Sequence, residues 1–169
     1  ETFAWTPPPG AKDAKTMAAD DSGPAGELVG KPAPDFKLKD LEDKEIALSS
    51  LKGSVVVLDF WATWCGPCVA SLPHIDALSR EMKSKGVQVF AVNQGETKAQ
   101  VSEFIKAHKL TLAVLLDGDS KVGGSYKAEA IPETVLIGKD GNVQKVFVGA
   151  GPDTEQQIHD AVQAALKAH

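Results

Sequence analysis

Cys65 and Cys68 are the only two cysteines in the chain of 169 residues, and Gly66-Pro67 separates them. Two thiols at this spacing can close to a disulfide and reopen, which is what exchange through a mixed disulfide requires. Ahead of them, Val55-Val56-Val57-Leu58-Asp59-Phe60-Trp61 is a β-branched, apolar run. It reads as a strand covered on both faces, as at the centre of a parallel sheet. Behind them, Val69 to about Lys85 reads as a helix, which puts Cys65 near a helix N-terminus. Unpaired N–H groups and the helix dipole favour an anion there, and the anion available is a thiolate. A free cysteine has a pKa of about 8.5, and a C-x-x-C cysteine at a helix start can be near 7, worth roughly 2 kcal/mol in favour of thiolate. Pro67 has no N–H to lose at the first helical position and limits how far the sulfurs can separate.

The remaining elements must hold this dithiol in place. Phe36-Lys37-Leu38 and Glu45-Ile46-Ala47-Leu48 alternate around a polar segment and predict a hairpin. The helix after the cysteines carries an interior proline, Pro73, which removes a backbone bond, and Leu72, Ile75, Leu78 and Met82 are spaced for one apolar face. His74 on the same helix is read as an ordinary surface histidine. Val87–Val92 predicts a second parallel strand, Thr97-Lys98-Ala99-Gln100 a capping box opening a helix with Val101, Phe104 and Ile105 on one face, and Leu112–Leu116 another strand. A short helix over 119–126 follows. Thr134–Ile137 and Val143–Val148 then flank the turn Lys139-Asp140-Gly141-Asn142, and a last helix from Asp153 or Thr154 buries Ile158, Val162 and Leu166.

Trp64-Cys65-Gly66-Pro67-Cys68 resembles the active-site signature of thioredoxin, and Asp59-Phe60-Trp61-Ala62 resembles its approach strand. Four further features agree: Pro73 five residues past Cys68, a helix-strand insertion over roughly 96–117, a proline before a strand at Pro132, and the strand-strand-helix ending. The hairpin, the insertion and the Gly30-to-Phe36 opening resemble the TlpA-like, extracytoplasmic branch of the thioredoxin-like superfamily, with its redoxin domain and its relation to the cytochrome c maturation proteins. The resemblance implies an α/β thioredoxin fold: a central mixed sheet flanked by helices, with an N-terminal β-hairpin and a central helix-strand insertion.

For function, the resemblance implies a thiol-disulfide oxidoreductase in which Cys65 attacks and Cys68 resolves. It implies that Asp59, costly to bury as a charge, lies behind the second cysteine and assists proton transfer. It also implies that Ile131-Pro132 is a cis bond facing the cysteines, with Ile131 offering its backbone to an extended substrate and Pro132 keeping metal off the thiolates. Trp64, Gly66 and Pro67 would border the substrate surface. Glu133 stands where thioredoxin usually has threonine, and Pro132-Glu133-Thr134 is similar instead to the cytochrome c maturation proteins. The expected partners are disulfide-bearing proteins, such as extracytoplasmic apocytochromes, and a membrane or soluble thiol donor. No cofactor is expected beyond the Cys65–Cys68 disulfide, and no metal. The expected location is extracytoplasmic (periplasmic), with a membrane anchor in the full-length protein as one form of it.

Two other classes fit less well. The peroxiredoxin pattern P-x-x-x-T/S-x-x-C would need Thr or Ser and Pro upstream of the cysteine; counting back gives Ala62 and Leu58 from Cys65, and Cys65 and Trp61 from Cys68. Copper or other metal binding would use the two soft thiolates, but structural zinc would need a second pair. A net charge of −5 argues against a general nucleic-acid partner. With 43% hydrophobic residues the chain can bury one good core, and no apolar run reaches the roughly 18 residues of a membrane span. The start at Glu1 reads as a processed or excised chain, expected to be monomeric in this form. Residues 1–30, with Pro7-Pro8-Pro9-Gly10 and Gly23-Pro24, have linker composition, apart from Phe3-Ala4-Trp5, and are read as a flexible linker or the end of a preceding domain. The redoxin domain is then 31–169.

Overall fold

The computed structural model describes residues 23–167; the Phe3-to-Gly10 features lie outside the described residues. Seven strands form one mixed sheet: β1 (Lys37–Asp40), β2 (Glu45–Ala47), β3 (Val55–Trp61), β4 (Val87–Gln94), β5 (Ala113–Asp117), β6 (Glu133–Ile137) and β7 (Val143–Val148). The helices are α1 (Gly66–Met82), α2 (Lys98–Ala107), α3 (Lys121–Ser125) and α4 (Pro152–Lys167). The strand order is β2-β1-β5-β4-β3-β6-β7. β3, β4 and β5 are parallel, β6 runs against β3, and β7 against β6. The N-terminal hairpin closes the other side, where β1 pairs antiparallel with β5.

β3 lies deep inside this sheet, and all seven of its residues are buried. Its alternating side chains feed two separate apolar layers. Val55, Val57 and Trp61 pack on Leu72, Ile75, Leu78 and Met82 of α1, Val101 and Ile105 of α2, and Ile158 and Val162 of α4. Val56, Leu58 and Phe60 pack on Phe36, Phe90, Tyr126, Val135 and Ile137 on the opposite face. A strand buried on both faces cannot alternate polar with apolar residues, which explains the unbroken Val-Val-Val-Leu run.

The predicted elements form with small shifts. α1 begins at Gly66 and ends at Met82, and a 3-10 turn over Lys83–Lys85 carries the chain to Gly86 in a left-handed conformation. β5 starts one residue later than expected. The Thr97 hydroxyl and the Gln100 side chain make the reciprocal capping box that opens α2. Val101 and Ile105 of α2 are buried, whereas Phe104 is only partly so and stacks on His108. On α4, Leu166 is half-buried and Ala161 and Ala165 fill the face instead. The turn from β6 to β7 needs a left-handed residue, and Gly141 supplies it at φ +87°.

One stretch differs from the linker reading. Gly23–Leu28, within the residues of linker composition, forms a 3-10 helix, and Ala25 and Leu28 are buried in the layer that holds Phe36 and Val143. Two apolar side chains among turn-forming residues give no period, so composition alone suggested a linker. Gly30 N–H then donates to the Val143 carbonyl and ties this segment to β7.

Candidate active site

β3 ends at Trp61, and the chain turns through Ala62-Thr63-Trp64-Cys65, where Cys65 N–H donates to the Ala62 carbonyl at 3.2 Å. Cys65 is the N-cap of α1, with extended backbone, and Pro67 sits within its first two positions. A cap side chain ordinarily accepts from the N–H of the second or third helical residue. Here the acceptor is sulfur: Cys68 N–H points at Cys65 Sγ from 3.3 Å. The two cysteines are joined by a disulfide, with Cα atoms 5.2 Å apart. Cys68 is fully buried and Cys65 nearly so, at 0% and 6% exposure, so Cys65 is the sulfur nearer solvent. Trp64 beside it is 73% exposed and is the one large hydrophobic residue on the surface among the described residues.

The loop before β6 closes over this pair. Ile131-Pro132 is a cis peptide, and Cys65 Sγ lies 3.7 Å from the Ile131 carbonyl oxygen. Segments 66 residues apart in sequence thus meet at the outer sulfur. Gly66 and Pro67 are exposed at the start of α1, on the same rim as Trp64.

Asp59 and Glu133 are both buried, to 1% exposure each, and they point to opposite faces. Asp59 lies between Val57 and Trp61 in sequence alternation, on the face that packs against α1 and Cys68. Its Oδ1 accepts from the Thr134 hydroxyl at 3.2 Å, while Oδ2 has no hydrogen-bond partner among the described residues. Burial pushes its carboxyl up to about 7, and the Thr134 hydrogen bond only partly opposes this. Glu133 pairs in register with Phe60 and shares the Tyr126 face. Burial, with the charge of Glu129 adding to it, pushes Glu133 up to about 8. So the structure brings Asp59 onto the side of the dithiol, places Glu133 beside Pro132 but across the sheet from α1, and excludes a solvated position for either. His74 lies outside the site: it is exposed and its ring nitrogen is 3.3 Å from Glu155 of α4.

One charged residue near the dithiol escaped the sequence reading. Glu96, just after β4, accepts from the backbone N–H and the hydroxyl of Thr63 and from the Asn93 amide. Its signal was positional: side chains at the C-terminal ends of neighbouring parallel strands converge on one rim, and Glu96 follows β4 as Thr63 follows β3. Among the described residues no group of three or more His, Cys, Asp or Glu is placed to hold a metal ion.

Comparison with known proteins agrees with this geometry. The Redoxin family matches residues 28–164. A thiol-disulfide oxidoreductase ResA of Bacillus subtilis is 43% identical over 131 residues, covering 78% of this chain and 72% of the relative. A ResA of Bacillus cereus is 38% identical over 135 residues, with 80% and 77% covered. Among solved structures, one described as a thiol:disulfide interchange protein DsbE from Chlorobium tepidum superposes with a TM-score of 0.77 at 34% identity, covering 82% of this chain and 97% of that one. With a dithiol at the N-cap of a helix, a thioredoxin fold around it and these relatives over most of its length, the chain belongs to the redoxin family and is a thiol-disulfide oxidoreductase of the ResA and TlpA-like kind.

Proposed function

We propose that the protein reduces disulfides of other proteins outside the cytoplasm. The observation that carries this is the outer sulfur: Cys65 caps α1, receives the Cys68 N–H, and faces the Ile131 backbone. In the reduced form the same N–H and helix end stabilise a Cys65 thiolate. An extended substrate docks its backbone along Ile131, against Trp64, Gly66 and Pro67. The Cys65 thiolate attacks one substrate sulfur, the substrate S–S bond breaks, and the departing thiolate takes up a proton. Cys68, passing its proton to Asp59, then attacks Cys65 Sγ. The Cys65–Cys68 disulfide forms, and the second substrate thiol leaves. Two electrons pass to the substrate, and an external dithiol must return them.

Asp59 suits this step because a group that titrates near neutrality can both accept and return a proton. Pro132 keeps the space beside the sulfurs closed to metal, while Glu133, next to it in sequence, is a buried carboxyl on the other face of the sheet. The extracytoplasmic setting, a membrane or soluble thiol donor, and disulfide-bearing protein substrates are what the likeness to the TlpA-like branch in hairpin and insertion implies. No helix among the described residues is long and apolar enough to cross a membrane. We take the redox domain to begin at Gly23, where the 3-10 helix that buries Ala25 and Leu28 starts.

Two measurements test the reading. In Cys68→Ser, incubation with insulin should accumulate a mixed disulfide through Cys65, seen as added mass, and Cys65→Ser should form none; adducts on Cys68 in Cys65→Ser would reverse the assignment. The reduction potential of the pair, from thiol redox buffers, should fall on the reducing side, near the thioredoxin value of about −270 mV. A value near −120 mV would make the protein an oxidant and overturn the proposed direction.

A further inference from the structure

Thr63 lies two residues past the end of β3, where the sheet no longer supplies its N–H with an acceptor. Glu96 supplies one. Its Oε1 accepts from Thr63 N–H at 2.8 Å and from Asn93 Nδ2 at 2.9 Å, and its Oε2 accepts from the Thr63 hydroxyl. Partial burial pushes this carboxyl up, but the two Thr63 hydrogen bonds and the Asn93 amide outweigh that and hold it below the usual carboxylate range. Both oxygens are therefore engaged by neutral donors, and the group stays ionised at neutral pH.

Its own backbone is fixed on either side. Gly95 before it adopts a left-handed conformation, and Thr97 after it is the N-cap of α2, locked by the capping box. Asn93, the inner donor, is fully buried in β4. The gripped residue is a corner of the turn whose ends are Ala62 and Cys65. Among the described residues, the other hydrogen bonds at this turn lie within its own chain segment, and the Ile131 carbonyl only approaches Cys65 Sγ. Glu96 is the hydrogen-bonding tie from this turn to the helix-strand insertion.

We propose that Glu96 is a positioning residue for the dithiol: its carboxylate holds the Ala62–Cys65 turn so that Cys65 Sγ stays against the Cys68 N–H, and so governs how much of Cys65 is present as thiolate. The insertion that separates this branch from minimal thioredoxin thereby acts on the nucleophile it does not touch. The proposal rests on Cys65 being the attacking sulfur.

The test is the pH dependence of Cys65 alkylation by iodoacetamide in the fully reduced protein, read by mass, for wild type, Glu96→Ala, Glu96→Gln and Thr63→Val. Glu96→Ala should move the inflection to higher pH and slow alkylation at pH 7 by roughly fivefold, as expected when a hydrogen bond to a charged group is weakened. Glu96→Gln keeps an acceptor for the Thr63 N–H and should stay within about twofold of wild type. Thr63→Val, which loses only the hydroxyl, should fall between them. If the carboxylate acted through its charge, both Glu96 variants would shift the inflection downward alike, and the proposal would fail. If Glu96→Ala lowered the melting temperature and left the inflection in place, Glu96 would merely brace the fold, and the proposal would fail again. Should Glu96→Ala not fold, Thr63→Val decides: a raised inflection supports the proposal and an unmoved one overturns it. Cys65→Ser is the separate control. If a low-pH thiol persists in it, the nucleophile assignment falls, whatever Glu96 does.

Discussion

Asp59→Asn should make the oxidised protein more stable at alkaline pH and leave it no more stable in acid. The native carboxyl titrates at about 7, against 3.8 for the ordinary group. Between those values the native state keeps a proton that the unfolded chain has released, so stability falls as pH rises through the window and levels off above 7. Below 3.8 both states are protonated and the penalty vanishes. At about 1.4 kcal/mol per pH unit, burying the ionisable group costs about 4 kcal/mol at pH 8. Asparagine keeps an acceptor for the Thr134 hydroxyl, but its amide NH2 faces the place where Oδ2 has no partner. That adds a fixed cost of about 1–3 kcal/mol, independent of pH. The diagnostic quantity is therefore the change in the mutant-minus-wild-type difference between pH 4 and pH 8, expected to be about 4 kcal/mol in favour of the mutant at pH 8. Urea unfolding by linear extrapolation measures it, with the disulfide intact in both proteins so that no thiol titrates. Glu133 titrates over part of the same range but lies on the other face of the sheet and cancels in the subtraction. A difference that stays within about 1 kcal/mol across this range would show that Asp59 does not titrate near neutrality. The proton-transfer role would lose its basis. In stopped-flow exchange the same variant should slow release from the mixed disulfide more than the first attack, and equal slowing of both would count against that role.

Glu133→Gln should behave likewise in sign, since burial and Glu129 push Glu133 to about 8: its stabilising effect should grow between about pH 4.5 and 8, up to about 5 kcal/mol, and urea unfolding that showed no growth would place the carboxyl in contact with solvent. Trp64→Ala should change stability by no more than about 0.5 kcal/mol, because the ring is exposed, yet slow reduction of a protein disulfide by about tenfold while sparing a small aromatic disulfide. Equal slowing of both substrates in steady-state assays would argue that Trp64 shapes the loop and does not contact the substrate.

The parts of this fold visible in the sequence were those with a strong local period or a fixed chemical partner. The Val55–Trp61 run, the Thr97–Gln100 capping box and the Gly141 turn each announce themselves within a few residues, and each forms as read. Cys65, Cys68 and Pro132 were legible because a spacing and a proline carry them. Asp59 was legible because a carboxylate in an apolar strand must have a reason to be there. The Glu96 clamp was not, because it joins residues 33 apart through a backbone N–H, which has no signature in side-chain identity. The face of Glu133 was not legible either. It depends on the register of β6 against β3, where one residue of slip would exchange it with Thr134. The 3-10 helix at Gly23–Leu28 was missed because its burial depends on β7 being present to receive it.

The pairing of β1 with β5 has a bearing on how this molecule avoids adding other chains to its sheet. Without the hairpin, β5 would be the margin of the sheet, with a row of unpaired N–H and C=O groups beside the apolar Val114-Leu115. Other extended chains add readily to an open margin of this kind. The margins that exist are poor templates. β2 is three residues long, and β7 carries exposed Gln144 and Lys145 and meets β6 through an irregular register. Extended polypeptide thus finds little purchase along the margins of the sheet, and the Ile131 loop lies apart from them, beside Cys65.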